Sequence, residues 1–182
     1  MTFLQPKRVA QVSLEDCWAA ALESWVDSLG MPDLKPKQRA LVKQILAEPE
    51  SGGKHGIKNA RFITLAKTFA MDPMWFNLAE FTSTSVEGLL KVSNVFVAFR
   101  SVTEPGVEWW HAVVVYGVLR PPRDEPLFQM MDPDGGQYRN HWKQFFHPVS
   151  TEEELLVGVR DTTRRIGGRE AVKPKRDSKE KK

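Results

Sequence analysis

The sequence predicts an α+β fold, with helices in its first half and an antiparallel sheet in its second. Three observations carry that expectation. Apolar residues recur at helical spacing over Ser13 to Leu29, Lys37 to Ala47 and Asn59 to Ala70. From Asn94 onward, runs rich in Val, Phe and Trp alternate with Pro/Gly turns. Strands and helices do not alternate along the chain, as a parallel sheet would require.

In Ser13 to Leu29, Leu14, Trp18, Ala21, Leu22, Trp25, Val26 and Leu29 form one apolar face. Ser13 with Asp16 resembles a capping box, and Gly30 followed by Pro32 supplies a stop. The second helix turns Leu41, Val42, Ile45 and Leu46 inward; the third does so with Phe62, Leu65, Ala66 and Phe69. Between them, Ser51 to Gly56 holds three glycines and reads as a loop. A short strand is expected over Trp75 to Ala79, then a brief helix capped by Thr84 and Glu87. Strands over Asn94 to Val102, Glu108 to Leu119 and Leu127 to Met131 read as a meander. Arg139 to Phe146 reads as a short helix and Leu155 to Arg160 as a last strand.

With 182 residues, 41% of them hydrophobic, the chain can bury one core, so one domain is expected over residues 1–163. No apolar run is long enough for a membrane span, and the N-terminus lacks the pattern of a signal peptide. The expected location is therefore the cytoplasm, or export without a classical signal. The net charge of +3 conceals an asymmetry. Residues 164–182 hold nine basic and three acidic side chains, leaving 17 basic and 20 acidic in the rest. This tail is expected to be disordered, with non-specific nucleic-acid contact as its one route to such a partner.

A single cysteine, Cys17, excludes an intramolecular disulfide and suits a reducing compartment. No metal or nucleotide cofactor is expected. His55, His111, His141 and His147 lack zinc-ligand spacing, and no Gly-Lys-Ser/Thr loop is present. Asp132, Asp134 and Gly136 lack the downstream glutamate of a calcium loop.

Three local patterns concern chemistry. Gln11 lies six residues before Cys17-Trp18-Ala19 at a helix start. Trp110-His111-Ala112-Val113-Val114 runs along a strand that approaches Gly117, and Met131-Asp132-Pro133 ends the next one. In this order they resemble the papain-like cysteine peptidases. An Asp in the third place is similar to bacteriocin-leader peptidases and to the papain-like effector proteases of plant pathogens. The resemblance covers about Gln11 to Gly136. The chain between Cys17 and His111 is shorter than in the large papain enzymes, and the disulfide cysteines of secreted members are absent, which points to the compact bacterial branch. The resemblance implies a papain-like fold in which the central helix carries Cys17 and the sheet carries His111 and Asp132. It implies a Cys17–His111–Asp132 triad and an oxyanion hole that includes Gln11.

The residues themselves suit that chemistry. A thiol with an ordinary pKa near 8.5 is mostly un-ionised at neutral pH. A helix N-terminus and an adjacent imidazolium both favour its thiolate. Asp132 would hold the His111 tautomer and stabilise its charged form. Trp18, Trp109 and Trp110 are candidates for the cleft wall. The expected function is hydrolysis of a peptide or isopeptide bond in a peptide or protein substrate through a thioester, as in a bacterial processing enzyme or secreted effector. Glutamine deamidation or transglutamination with the same triad remains open, as does a non-catalytic binding module.

Overall fold

The first helix begins at the candidate nucleophile. The computed structural model of the protein describes residues 5–30, 37–47, 57–104, 107–146 and 154–163. A single 3-10 turn over Leu14–Asp16 leads into α1 (Cys17–Ser28), so Cys17 is its first residue. The expected capping box is not formed: neither Ser13 nor Asp16 makes a side-chain capping hydrogen bond. The helix stops as its sequence indicates. Gly30 takes a positive φ of 66°, and the N–H groups of Leu29 and Gly30 return to Val26 and Asp27.

Helices α2 (Gln38–Leu46) and α3 (Asn59–Thr68) follow, then β1 (Met71–Asn77), α4 (Ser83–Leu90) and β2 (Val95–Glu104). Next come β3 (Val107–Leu119), β4 (Leu127–Asp132), β5 (Gln137–His141) and β6 (Glu154–Arg160). Among the described residues the fold is α+β, with four helices and a six-stranded antiparallel sheet in the order β1-β6-β2-β3-β4-β5. The last strand is thus inserted between the first two. Pro73 is accommodated because β1 is an edge strand.

Side-chain alternation divides the core into two layers, one on each face of the sheet. Phe96, Ala98, Ala112, Val114, Met131 and Leu156 meet α1, α2 and α3 on the first face. Val95, Val97, Phe99, Val113, Val115, Phe128 and Met130 face α4 and the 3-10 turn over Lys143–Phe146 on the second. No helix among the described residues is long and apolar enough to cross a membrane.

Three expectations are corrected. The strand expected over Trp75 to Ala79 runs from Met71 to Asn77, because its seven residues pair with β6 from Met71–Arg160 to Asn77–Glu154. The cap of α4 is Thr82, not Thr84, and its reciprocal partner is Ser85. Glu87 instead pairs with Arg120. Of the short helix expected over Arg139 to Phe146, only Lys143–Phe146 is helical, as a 3-10 turn, while 139–141 belong to strand β5. Gly135 and Gly136, at φ 69° and 61°, reverse the chain directly after β4, so the residues that follow pair along it. The expected loop at 51–56 and the basic tail at 164–182 lie outside the described residues.

Candidate active site

The sheet is asymmetric around His111. Register between β3 and β4 runs from Leu119–Leu127 to Val114–Met131, whereas β3 continues beside β2 to Val107. Alternation puts His111 on the same face as Val113 and Val115, and Asp132 on the face of Met130. Both side chains therefore lean to the second layer, at the place where β4 ends. Cys17 reaches the same place from the first layer, at the start of α1. Its Sγ lies 3.4 Å from the Trp110 carbonyl oxygen, to which the thiol donates.

His111 Nε2 and Asp132 Oδ1 are 2.9 Å apart. All three groups are buried: Cys17 is 3% exposed, His111 5% and Asp132 1%. Burial by itself would lower the His111 pKa. Hydrogen bonding to Asp132 and to Cys17, together with their charges, overcomes burial and raises it to about 9. Phe99 meets the imidazole edge-on at 5.6 Å, which limits its rotation. With Nε2 committed to Asp132, Nδ1 is the nitrogen left for exchange with sulfur.

Asp132 is held on both oxygens. Oδ1 also accepts the Asp134 N–H at 2.9 Å, while Oδ2 lies 3.0 Å from Arg139 Nη1. Burial would raise its pKa, but hydrogen bonding to His111, the His111 charge, the Asp134 N–H and the Arg139 charge outweigh it, so the carboxyl stays below the ordinary value of 3.8. Arg139 also pairs with Asp134 at 3.3 Å. Arg139 was expected in a helix, which hid its place beside Asp132. Two-residue spacing on a strand after the glycine turn would have put it beside Asp132.

Gln11 lies in a segment without regular secondary structure ahead of α1. Its N–H donates to the Pro133 carbonyl at 2.9 Å, which sets it against the turn that follows Asp132. Its side-chain Oε1 is buried and accepts no hydrogen bond. The segment is fixed further back as well. Tyr138 Oη donates to Pro6 O at 2.7 Å, Ser24 Oγ donates to Lys7 O at 2.6 Å, and the Arg8 guanidinium lies 4.4 Å over the Tyr138 ring. Gly136 permits this close approach: a Cβ there would lie 3.0 Å from the Ala10 nitrogen.

No family model matches the chain. No curated protein matches it either.

The three tryptophans differ in place. Trp18 is 5% exposed and packs edge-on against Phe62 in the first layer, a core position. Trp110 is half-buried and meets the exposed Trp75 at 6.1 Å, with the Arg100 guanidinium 5.9 Å from its ring. Trp109 falls on β3, and its side chain lies outside the described residues. The structure therefore brings Cys17, His111 and Asp132 together and ties Gln11 to the same turn through its backbone.

Proposed function

We propose that the protein is a papain-like cysteine hydrolase in which Cys17 is the nucleophile, His111 the acid and base, and Asp132 the group that orients the histidine. The observation that carries the reading is the 2.9 Å contact between His111 and Asp132, with the Cys17 Sγ 3.4 Å from the carbonyl oxygen of Trp110, the residue before that histidine. Cys17, His111 and Asp132 lie on three separate elements, and all three side chains are buried. A buried carboxylate and imidazole pair costs desolvation that apolar residues of the same volume would not incur.

In the proposed reaction His111 already carries its proton below about pH 9, Cys17 reacts as the thiolate paired with that imidazolium, and the thiolate attacks a carbonyl carbon. A carbon–sulfur bond forms while the carbonyl π electrons move to oxygen. Collapse of this intermediate expels an amine, which takes the proton from the imidazolium, and a thioester remains. His111, left neutral, then removes a proton from water, whose oxygen attacks the thioester; the carbon–sulfur bond breaks, releasing the acid and restoring the thiolate–imidazolium pair. Asp132 stays ionised throughout and stabilises the imidazolium. Gln11 and the Cys17 backbone N–H are the proposed oxyanion donors; loss of one such donor typically costs roughly 100-fold in rate. The same thioester can be formed from a peptide bond or a glutamine side-chain amide, and released by water or by an amine. The reading therefore covers peptidase, deamidase and transglutaminase chemistry.

The test is alkylation of Cys17 by iodoacetamide near neutral pH. The expected result is labelling at least about tenfold faster than free cysteine, lost in His111→Ala. A Cys17 that reacts no faster than free cysteine overturns the proposal.

A further inference from the structure

The backbone around Gln11 is gripped on three consecutive residues, and one side chain supplies two of the grips. Gln38, the first residue of α2, is buried with 6% exposure. In the orientation that its neighbours dictate, its amide nitrogen donates to the Ala10 carbonyl at 3.1 Å and its oxygen accepts from the Val12 N–H at 2.9 Å. The opposite orientation would set oxygen against oxygen and donor against donor. These two backbone groups flank Gln11, so the amide does what a neighbouring strand would do. The third grip is the bond from Gln11 N–H to Pro133 O.

Gln38 is itself anchored. Its backbone N–H donates to Glu23 Oε2 at 2.7 Å, and Glu23 also pairs with Lys37 at 3.1 Å. Glu23 lies on α1, the helix that begins with Cys17. A continuous chain of contacts thus links the helix that presents the thiol to the segment that presents the Gln11 amide. The Gln11 Oε1 remains buried without a donor, so no side-chain hydrogen bond through that atom fixes the residue. Its placement falls to the backbone grips.

We infer that Gln38 is a positioning residue for the oxyanion-binding amide of Gln11, acting through the backbone of Ala10 and Val12. The inference rests on the cysteine chemistry proposed above. It goes further by making acylation depend on a residue that touches no reacting atom.

Two small reagents separate this role from general damage to the site. Iodoacetamide alkylates by displacement at a saturated carbon, so its rate reports the Cys17–His111 pair and needs no oxyanion donor. p-Nitrophenyl acetate acylates the thiolate: a carbon–sulfur bond forms, a carbon–oxygen bond breaks, and p-nitrophenolate leaves through a tetrahedral oxyanion. Wild type, Gln38→Met, Gln38→Glu and Gln11→Ala are compared with both reagents. In Gln38→Met, acylation is expected to fall about tenfold or more while alkylation stays within about twofold. Gln38→Glu can accept from Val12 but cannot donate to Ala10, and should fall between Gln38→Met and wild type. Gln11→Ala should lose at least as much acylation as Gln38→Met.

Acylation unchanged in Gln38→Met and Gln38→Glu, or falling in step with alkylation, overturns the inference. An unchanged acylation rate in Gln11→Ala overturns it too. A wild-type thiol that reacts with neither reagent faster than free cysteine instead overturns the cysteine chemistry on which it stands.

Discussion

Asp132 accepts from three donors: His111 and the Asp134 N–H on one oxygen, and Arg139 on the other. Such a carboxylate has little freedom to rotate, so its lone pair stays aimed at the imidazole. Arg139→Met should leave Oδ2 buried without its cation and reduce stability by about 1–3 kcal/mol, measured by urea unfolding. On the proposed reading it should also slow iodoacetamide labelling of Cys17 about tenfold, with Arg139→Lys recovering part of the loss. Labelling and stability both at wild-type levels would show that Oδ2 needs no cation. Asp132→Asn retains the shape but removes the charge that favours the imidazolium. It should bring the His111 titration, followed by NMR, down from about 9.

At the scale of elements, the turn from Asp132 to Gly136 serves two partners. Its first residue holds His111, its second holds the Gln11 N–H through a carbonyl, and its last admits Ala10 at close range. Gly136→Ala meets both a positive φ of 61° and a backbone atom 3.0 Å from the new Cβ. It should destabilise the fold by about 1–3 kcal/mol in thermal or urea unfolding. A neutral result would show that the Gln11 segment can shift freely. The turn also marks where sequence reasoning loses sight of the molecule. Its Asp-Pro-Asp-Gly-Gly composition announces a turn, and the Cys, His and Asp positions carry recognisable local patterns. Helices α1, α2 and α3 were legible from apolar spacing, and β2, β3 and β4 from their β-branched and aromatic runs. Strand β5 (Gln137–His141) was not legible, because it lacks an apolar alternation and is held by pairing to β4, by Tyr138 reaching Pro6 and by Arg139 turning back to Asp132. Gln38 gave no signal for a similar reason: in sequence it is one polar residue at the start of an amphipathic helix. The Thr82 cap was missed by two residues, since Thr82-Ser83-Thr84-Ser85 offers several hydroxyls and only packing selects among them.

For the whole molecule, the buried ion pair ties stability to pH. Folding raises the His111 pKa from 6.5 to about 9, so the folded state binds that proton more tightly than the unfolded chain. This contribution, on the order of 3 kcal/mol, is fully present below pH 6.5 and is lost as pH rises through about 9. Asp132 acts in the opposite sense. Its pKa lies below 3.8 in the folded state, so its contribution is present above that value and is lost on acidification through the depressed pKa. Urea midpoints measured across the pH range should therefore fall on the alkaline side between 6.5 and 9. In Asp132→Asn that alkaline fall should be much shallower; an equal slope would exclude the pair as its source.

The sheet order also gives the chain a timetable. Strand β6 fills a slot between β1 and β2, two strands synthesised far earlier, and it joins them to one continuous surface. During translation, the segment with Cys17, His111 and Asp132 leaves the ribosome before the piece that closes the sheet. Until residue 160 has emerged, β1 has no partner and one margin of β2 stands bare, open to any other extended peptide nearby. A nascent protein of this design should therefore commit late, in a single zippering event, and a stop codon placed before residue 154 should leave a chain prone to aggregate.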